Sequence, residues 1–461
     1  MPLYSLAGEF PMQHVLIANR GEIALRAARV CRTLGIESTA VYSRADGNSP
    51  HGWAADNAVC IGPPPSTQSY LNVPALLHVA ESKNCDAIYP GYGFLAENAE
   101  FAAKCEAEGL TFIGPRPQSI QQMGDKARAR ETAMELGVPV VPGSDAAFDD
   151  AAKAEESAAE IGFPLLLKAR SGGGGRGMRV ANDIGSFPAL FRQAFGEAEA
   201  AFGDGAVYLE RFFPQVRHIE VQIFGDSHGD VMHFGERDCT VQRRHQKLVE
   251  ESPSPALDAE TRAKLHETAV ALAKGIDYQG AGTVEFIYVP EERQFHFIEM
   301  NTRIQVEHPV SEEICGLDLI ALQMRIARGE KLTEIELPEA PGGHAVEFRI
   351  NAEDWRRDFA PGPGRLERWR PPVRGGVRVD SHAYEGYAVP PFYDSMIGKL
   401  IVHGSDRAEA LSRAEAAIRD FECAGIATTL DFHDTLLKDE DFRSNDVHTR
   451  WVENAFLARH A

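Results

Sequence analysis

The sequence predicts a multidomain protein of mixed α/β and α+β class, and three observations carry that prediction. Its first third alternates short apolar strands with amphipathic helices. A run of four glycines, Gly172–Gly175, is flanked by two strand-like segments. From about Gly343 onward, short strands rich in Pro and Gly lead to one long helix near the end. At 461 residues the chain has room for about three domains of ordinary size.

The elements follow in order. "HVLIAN", His14 to Asn19, reads as an apolar strand, and "GEIALRAARVCRTLG" has helical periodicity with Gly35 as its stop. "STAVYS", "DAIYPG" and "TFIGP" supply further strands, and this alternation implies a parallel sheet covered by helices. Asp125 can cap a helix "KARARETAMEL", closed by Gly137 and Pro139. Asp149 or Asp150 can cap a second, "DDAAKAEESAAEI", which Gly162 stops. "PLLLKA" and "MRVA" then flank the glycine run, which is expected at a hairpin tip. A Rossmann or Walker loop would open directly into a helix, so those two nucleotide folds are excluded for this segment. "PGPGRLERWRPPVRGGVRVDS" reads as short strands and "DRAEALSRAEAAIRDF" as the final helix of a third, α+β unit.

Composition narrows the function. A formal net charge of -21 argues against nucleic acid or an anionic membrane as the main partner. Seven cysteines without a C-x-x-C pair suit reduced thiols. No stretch reaches the ~18 to 20 apolar residues of a membrane helix, and the start lacks a signal-peptide pattern. A cytoplasmic location is expected.

The most informative stretch is "GTVEFIYVPEERQFHFIEMNTRIQVEHP", Gly282 to Pro309. A hairpin centred on Glu292 pairs Tyr288 with His296 and Phe286 with Ile298, and puts Glu285 opposite Glu299. Facing carboxylates repel, and a divalent cation between them removes that penalty. Oxygen ligands of this kind suit Mg²⁺ or Mn²⁺. Past Glu299 every second residue is polar, namely Asn301, Arg303, Gln305 and Glu307, so a continuing strand with one polar face is expected. The bland alternative is a solvated strand face.

Basic residues are conspicuous in so acidic a chain. "QRRHQK" gathers Arg243, Arg244, His245 and Lys247, although such a run is often mere solvated surface. Lys168 precedes the glycines, Arg176 follows them, and Lys126 opens a helix. Glycine amides can form an anion nest, and lysine is a compact cation for phosphate. Together with paired carboxylates, these parts describe ATP-dependent activation of an anion. "GYGFLA", Gly91 to Ala96, matches a dinucleotide fingerprint only weakly and is discounted.

At this point the chain resembles the biotin carboxylase family of the ATP-grasp superfamily. The likeness runs through "VLIANRGEIA", "GYGFLAEN", "FIGP", "MGDKA", "GGGGRGMRV", "GERDCTVQRRHQK", "FIEMNTRIQVEHPVSE", "GHAVEFRINAED" and "YDSMIGKLIVHG". The resemblance implies a Rossmann-like N-terminal domain over 12–124 and an ATP-grasp domain over 125–342, with a lid over about 142–214. A C-terminal domain over 343–461 completes it. It also implies that ATP phosphorylates bicarbonate to carboxyphosphate, and that biotin on a carrier protein is then carboxylated at N1′.

Carried over by motif, Lys126, Lys168 and Gly172, Gly173, Gly174 and Gly175 would hold ATP phosphates. Glu210, Arg211 and Phe213 would meet adenine; His218, Gln242 and His245 would contact the nucleotide. Glu285, Glu299 and Asn301 would bind the metal. Lys247, Arg303, Gln305 and the Val306 backbone would form the bicarbonate pocket, Glu307 would be the base, and Arg349 would stabilise the biotin ring. Because free glutamate, at about 4.3, is a weak base for bicarbonate, either nearby cations must favour the dianion or burial must raise Glu307.

The chain departs from the family in placing Arg170 and Ser171 before only four glycines and in its hinge "ERFF". Met12 stands where members usually start, so residues 1–11 are read as a disordered extension or a start-site artefact. With no A-M-K-M biotin-attachment motif, biotin is expected in trans on a biotin carboxyl carrier protein, alongside separate carboxyltransferase subunits. An acetyl-CoA carboxylase is the expected parent, and a homodimer is implied. A different ATP-grasp carboxylate–amine ligase is the alternative, which Arg349 and "RIQVEHP" disfavour.

Overall fold

The computed structural model describes residues 12–144, 146–169, 178–202, 205–337 and 342–460. Residues 1–11, Gly172–Gly175 and Arg170, Ser171 and Arg176 therefore lie outside the described residues. Among those described, no helix is long and apolar enough to cross a membrane.

The N-terminal unit is a five-stranded parallel sheet: β1 (His14–Ile17), β2 (Glu37–Ser43), β3 (Asn57–Gly62), β4 (Ala87–Tyr89) and β5 (Thr111–Phe112), in the order β3-β2-β1-β4-β5. Alternate residues of β1 feed opposite faces. Val15 and Ile17 pack with Ala24 and Ala28 of the first helix, whereas Leu16 packs with Leu76 and Phe101. The predicted first helix spans Gly21–Leu34 and ends at Gly35, whose φ of +67° suits glycine. Strand order reverses between β1 and β4. Parallel sheets place ligands beyond the carboxyl ends of strands at such a point, and the segments leaving β1 and β4 both reach the main cavity.

A smaller three-stranded antiparallel sheet follows, built from β6 (Leu165–Ala169), β7 (Met178–Ala181) and β8 (Val207–Arg211) in the order β7-β6-β8. Lys168 pairs with Met178, so the glycine run falls between antiparallel partners, as the hairpin expectation required. The helices preceding this sheet start as read. Asp125 Oδ1 accepts from the Ala127 and Arg128 amides, and Asp150 Oδ1 from those of Ala152 and Lys153.

The rest is organised by one eight-stranded antiparallel sheet. Its first five strands are β9 (Arg217–Gly225), β10 (Val231–Arg243), β11 (Gln246–Ser252), β12 (Gly280–Val289) and β13 (Gln294–Asn301). They are joined by β14 (His344–Asn351), β18 (Val377–Ser381) and β19 (Met396–Gly404), in the order β13-β12-β9-β10-β11-β14-β19-β18. The short strands β15 (Glu353–Asp354) and β16 (Ala360–Pro361) pair with each other, as do β17 (Arg368–Arg370) and β20 (Glu422–Ala424). Short strands dominate the C-terminal third as expected, but two long ones run through it. β14 and β19 are eight and nine residues long, and β14 hydrogen-bonds to β11. The final helix of the sequence reading, Arg407–Asp420, is capped by Asp406 and packs Leu411, Ala414 and Ile418 into the core above these strands.

Candidate active site

Glu285 and Glu299 are direct partners across β12 and β13. The predicted pairing is correct there and wrong one step away. Phe286 faces Phe297, not Ile298, and Tyr288 faces Phe295, not His296, because the register shifts between Glu285 and Phe286. Ile298 is the extra residue of this bulge, and it is exposed. A one-residue slip inverts every side chain, so the bulge turns the loop half of the hairpin apolar-inward while both glutamates face the cavity.

The strand expected to continue past Glu299 stops at Asn301. The solvated-face alternative is corrected too: Gln305 and Glu307 are 3% and 2% exposed. Burial is possible because their side-chain polar atoms find partners, and Arg237 is the hub of that network. Fully buried, it donates to Glu220 (2.5 Å), Gln222 (2.7 Å), Gln305 (3.0 Å), Ser311 (3.1 Å) and Thr283 (3.2 Å).

Above Arg237 sits Lys247, whose Nζ donates to three carboxylates: Glu220 (2.6 Å), Glu307 (2.6 Å) and Glu285 (3.0 Å). The other Glu307 oxygen accepts from Arg349 at 2.8 Å. Burial alone would raise Glu307, but Lys247, Arg349 and Arg237 outweigh it and hold the carboxyl well below its usual range. Of the two routes to a competent base, this favours the one in which nearby cations do the work. Glu285 behaves alike: burial is overcome by Lys247 and His218, and its pKa falls well below normal. Burial opposes the charged imidazole of His218, yet Glu285, 3.0 Å away, raises its pKa.

These groups open onto one cavity of about 1490 Å³. Lys126, Lys168, Glu210, Arg211 and Phe213 line it, with Lys168 paired to Glu210 across β6 and β8. Phe213 stacks on His296 with ring centroids 5.4 Å apart. Gln242 and His245 also line the cavity, as do Asn301, Arg303 and Val306. "QRRHQK" folds as a hairpin in which Arg243 pairs with Gln246, leaving a two-residue turn. Arg244 and His245 both adopt positive φ, +46° and +66°. That turn geometry normally selects Asn or Gly, so backbone strain is held at the rim of the cavity.

The comparisons with known proteins agree with this geometry. Residues 11–120 match the model "Biotin carboxylase, N-terminal domain", 125–335 match "Carbamoyl-phosphate synthase L chain, ATP binding domain", and 347–454 match "Biotin carboxylase C-terminal domain". The biotin carboxylase of Nostoc sp. is 51% identical over 439 residues, 95% of this chain and 98% of that protein. The chain belongs to the biotin carboxylase family. It is an ATP-dependent ligase that carboxylates biotin.

Other biotin carboxylase relatives serve different complexes. A pyruvate carboxylase subunit from Methanothermobacter thermautotrophicus is 47% identical over 95% of this chain and 89% of its own. The biotin carboxylase domain dimer of Hydrogenobacter thermophilus 2-oxoglutarate carboxylase, solved with MgADP, ADP and bicarbonate, is 44% identical. It covers 97% of this chain and 98% of its own, with a TM-score of 0.86.

Within this biotin carboxylase site, the donors suited to a hard divalent cation are Glu285, Glu299 and Asn301. They are oxygen ligands on two adjacent strands at the cavity wall, and Lys126 Nζ lies 3.1 Å from Glu299. Their chemistry fits the cation. Two further groupings, His218–Glu220–Glu285 and Glu220–Cys239–Glu307, lie around Lys247 and already have its ammonium as counter-charge.

Sequence reasoning missed several participants. Glu97, in "GYGFLAEN", accepts from Arg303 Nε at 2.8 Å and from the Thr302 amide at 3.1 Å, tying the N-terminal unit to the pocket. Lys399, fully buried, donates to the Val306 carbonyl at 2.8 Å. Glu220 and Gln222 were readable: in "RHIEVQIFG" His218, Glu220 and Gln222 alternate as polar residues inside an otherwise apolar strand.

Proposed function

We propose that this chain carries out the first half-reaction of a biotin-dependent carboxylase with biotin presented in trans. ATP phosphorylates bicarbonate to carboxyphosphate, whose breakdown delivers CO₂ to N1′ of biotin on a biotin carboxyl carrier protein. ADP and phosphate leave. The observation that carries this reading is the Lys247 ammonium touching three buried carboxylates beside Arg349, at the end of a cavity whose other wall carries Lys126 and Lys168.

In this reading Lys126, Lys168, Gly172–Gly175 and His245 hold phosphates; Glu210, Arg211, Phe213, His218 and Gln242 receive the nucleoside. Mg²⁺ or Mn²⁺ on Glu285, Glu299 and Asn301 would supply charge neutralisation for the phosphate oxygens. Lys247, Arg303, Gln305 and the Val306 backbone take bicarbonate. Glu307 accepts its proton at a carboxylate oxygen. Because Glu307 is a weak base, Lys247 and Arg303 do the larger share by favouring the dianion. Arg349 stabilises charge on the biotin ureido oxygen. Units at 12–124, 125–342 (lid about 142–214) and 343–461 frame the reading, with a homodimer and separate carboxyltransferase subunits as partners. Those subunits choose the acceptor, for which acetyl-CoA is our first choice.

The test is ATP turnover with Mg²⁺ and bicarbonate, with and without free biotin. Arg349→Ser should reduce the stimulation by biotin, and Glu307→Ala should remove bicarbonate-dependent turnover. Wild-type behaviour of both variants rejects the assignment.

A further inference from the structure

Behind Arg349 lies a second pair of facing glutamates that the reaction as described does not use. Glu250 on β11 and Glu347 on β14 are direct partners in the antiparallel ladder, and both are fully buried. Glu250 Oε1 accepts from Arg349 Nε at 2.6 Å. The other three carboxylate oxygens, Glu250 Oε2 and both of Glu347, have no hydrogen-bond partner among the described residues. Glu347 lies two residues before Arg349, hence on the same face of β14.

Two ionised carboxylates at facing positions in a dry interior repel strongly, and each needs a partner for its lone pairs. Among the described residues a single guanidinium serves this pair directly, and its other arm is engaged by Glu307. The other groups near the pair are Lys247 and Cys239 on the Glu250 side, Lys399 on the neighbouring strand, and Glu22 and Tyr92 from the N-terminal unit. Lys399 is already engaged by the Val306 carbonyl at 2.8 Å and lies 3.1 Å from Glu22. One proton on the pair resolves both problems: it removes a charge and provides a donor between otherwise orphaned oxygens.

We propose that Glu250 and Glu347 share one proton, and that this singly charged pair is the positioning device that aims Arg349 toward the biotin ring. Its catalytic consequence rests on the reading of Arg349 given above. The electrostatics agree. Burial raises Glu347 well above the carboxylate range, with Lys399 opposing and Glu250 reinforcing. Burial likewise pushes Glu250 up to about 7 against the pull of Arg349. A pair this strongly coupled titrates as a unit. Loss of the shared proton adds a second negative charge beside Arg349 and draws the guanidinium away from the cavity, so biotin carboxylation should decline at alkaline pH.

The proton can be sought directly. Infrared spectra of the intact enzyme at neutral pH should contain a protonated-carboxyl carbonyl band that disappears in Glu347→Gln, an isosteric change that keeps a donor in place. Kinetically, Glu347→Gln should keep biotin-dependent turnover within about 3-fold at neutral pH while moving its alkaline limb to higher pH. Glu250→Gln should raise the KM for biotin about 10-fold or more, as loss of a charge-assisted hydrogen bond predicts, without a matching rise in the KM for bicarbonate. A wild-type spectrum without a band sensitive to Glu347→Gln overturns the shared proton. A band present with both KM values moving together in Glu250→Gln overturns the positioning role. If Arg349→Ser alone behaves like wild type, the reading of Arg349 fails, and the infrared result still decides the proton.

Discussion

Two pairs of glutamates face each other across the same sheet, and their surroundings give them opposite characters. Glu285 and Glu299 meet at the cavity wall, where Lys247, His218 and Lys126 supply positive charge and a metal can be accommodated. Glu250 and Glu347 meet on the two strands beyond β10, sealed from water, with a single guanidinium between them and Glu307. Cations hold Glu285 well below its usual range, whereas the second pair carries one proton and a single negative charge. Within β11 the contrast recurs between adjacent residues. Glu250 is pushed up to about 7, whereas Glu251, on the opposite face, is drawn down to about 2. Burial opposes that depression, but Arg407 and His344, both 2.7 Å away, outweigh it. Facing carboxylates alone therefore do not mark a metal site; the counter-charges decide.

The largest expected effect breaks the first pair. Glu285→Ala removes a buried acceptor of Lys247 and a proposed metal ligand together. Bicarbonate-dependent ATP turnover should fall about 10³-fold, the scale of several kcal/mol of lost charge stabilisation. Glu299→Ala, more exposed and paired only with a surface lysine, should lose about 10- to 100-fold and respond to added Mg²⁺. Equal losses in the two variants would erase the asymmetry.

A smaller effect sharpens the contrast within β11. Glu251 has a depressed folded-state pKa, so its contribution is present above the unfolded value of about 4.3 and lost as pH falls through about 2. Denaturation of wild type and Glu251→Gln should show a stability gap that narrows by roughly 2 kcal/mol between pH 6 and pH 3. A gap independent of pH would mean that the ion pairs contribute nothing. Smallest of all, Glu347→Gln should leave stability within about 1 kcal/mol, because its amide keeps a donor facing Glu250 in place of the shared proton. Chemical denaturation measures it, and a loss above about 3 kcal/mol would indicate a partner that the geometry does not contain.

Much of this was legible in the residues themselves. Helix ends followed from Asp125, Asp150 and Gly35, since caps act locally. The Glu285–Glu299 pairing followed from centring a hairpin on Glu292. What stayed hidden is non-local. The bulge at Ile298 leaves no mark in strand alternation. Glu97 and Lys399 reach the pocket from separate units. Glu250 looks like one of two ordinary acidic residues in "LVEES" until β14 is known to lie beside β11.

The continuous eight-stranded sheet has a mechanical consequence. Lys247 and Arg349 ride on neighbouring strands stitched together by backbone hydrogen bonds, while Lys168 sits on a separate three-stranded sheet. Movement of the small sheet would shift Lys168 without disturbing the spacing between Lys247 and Arg349. The two cations on the large sheet thus share one chassis, and the strands on either side of residue 343 should melt in one calorimetric transition.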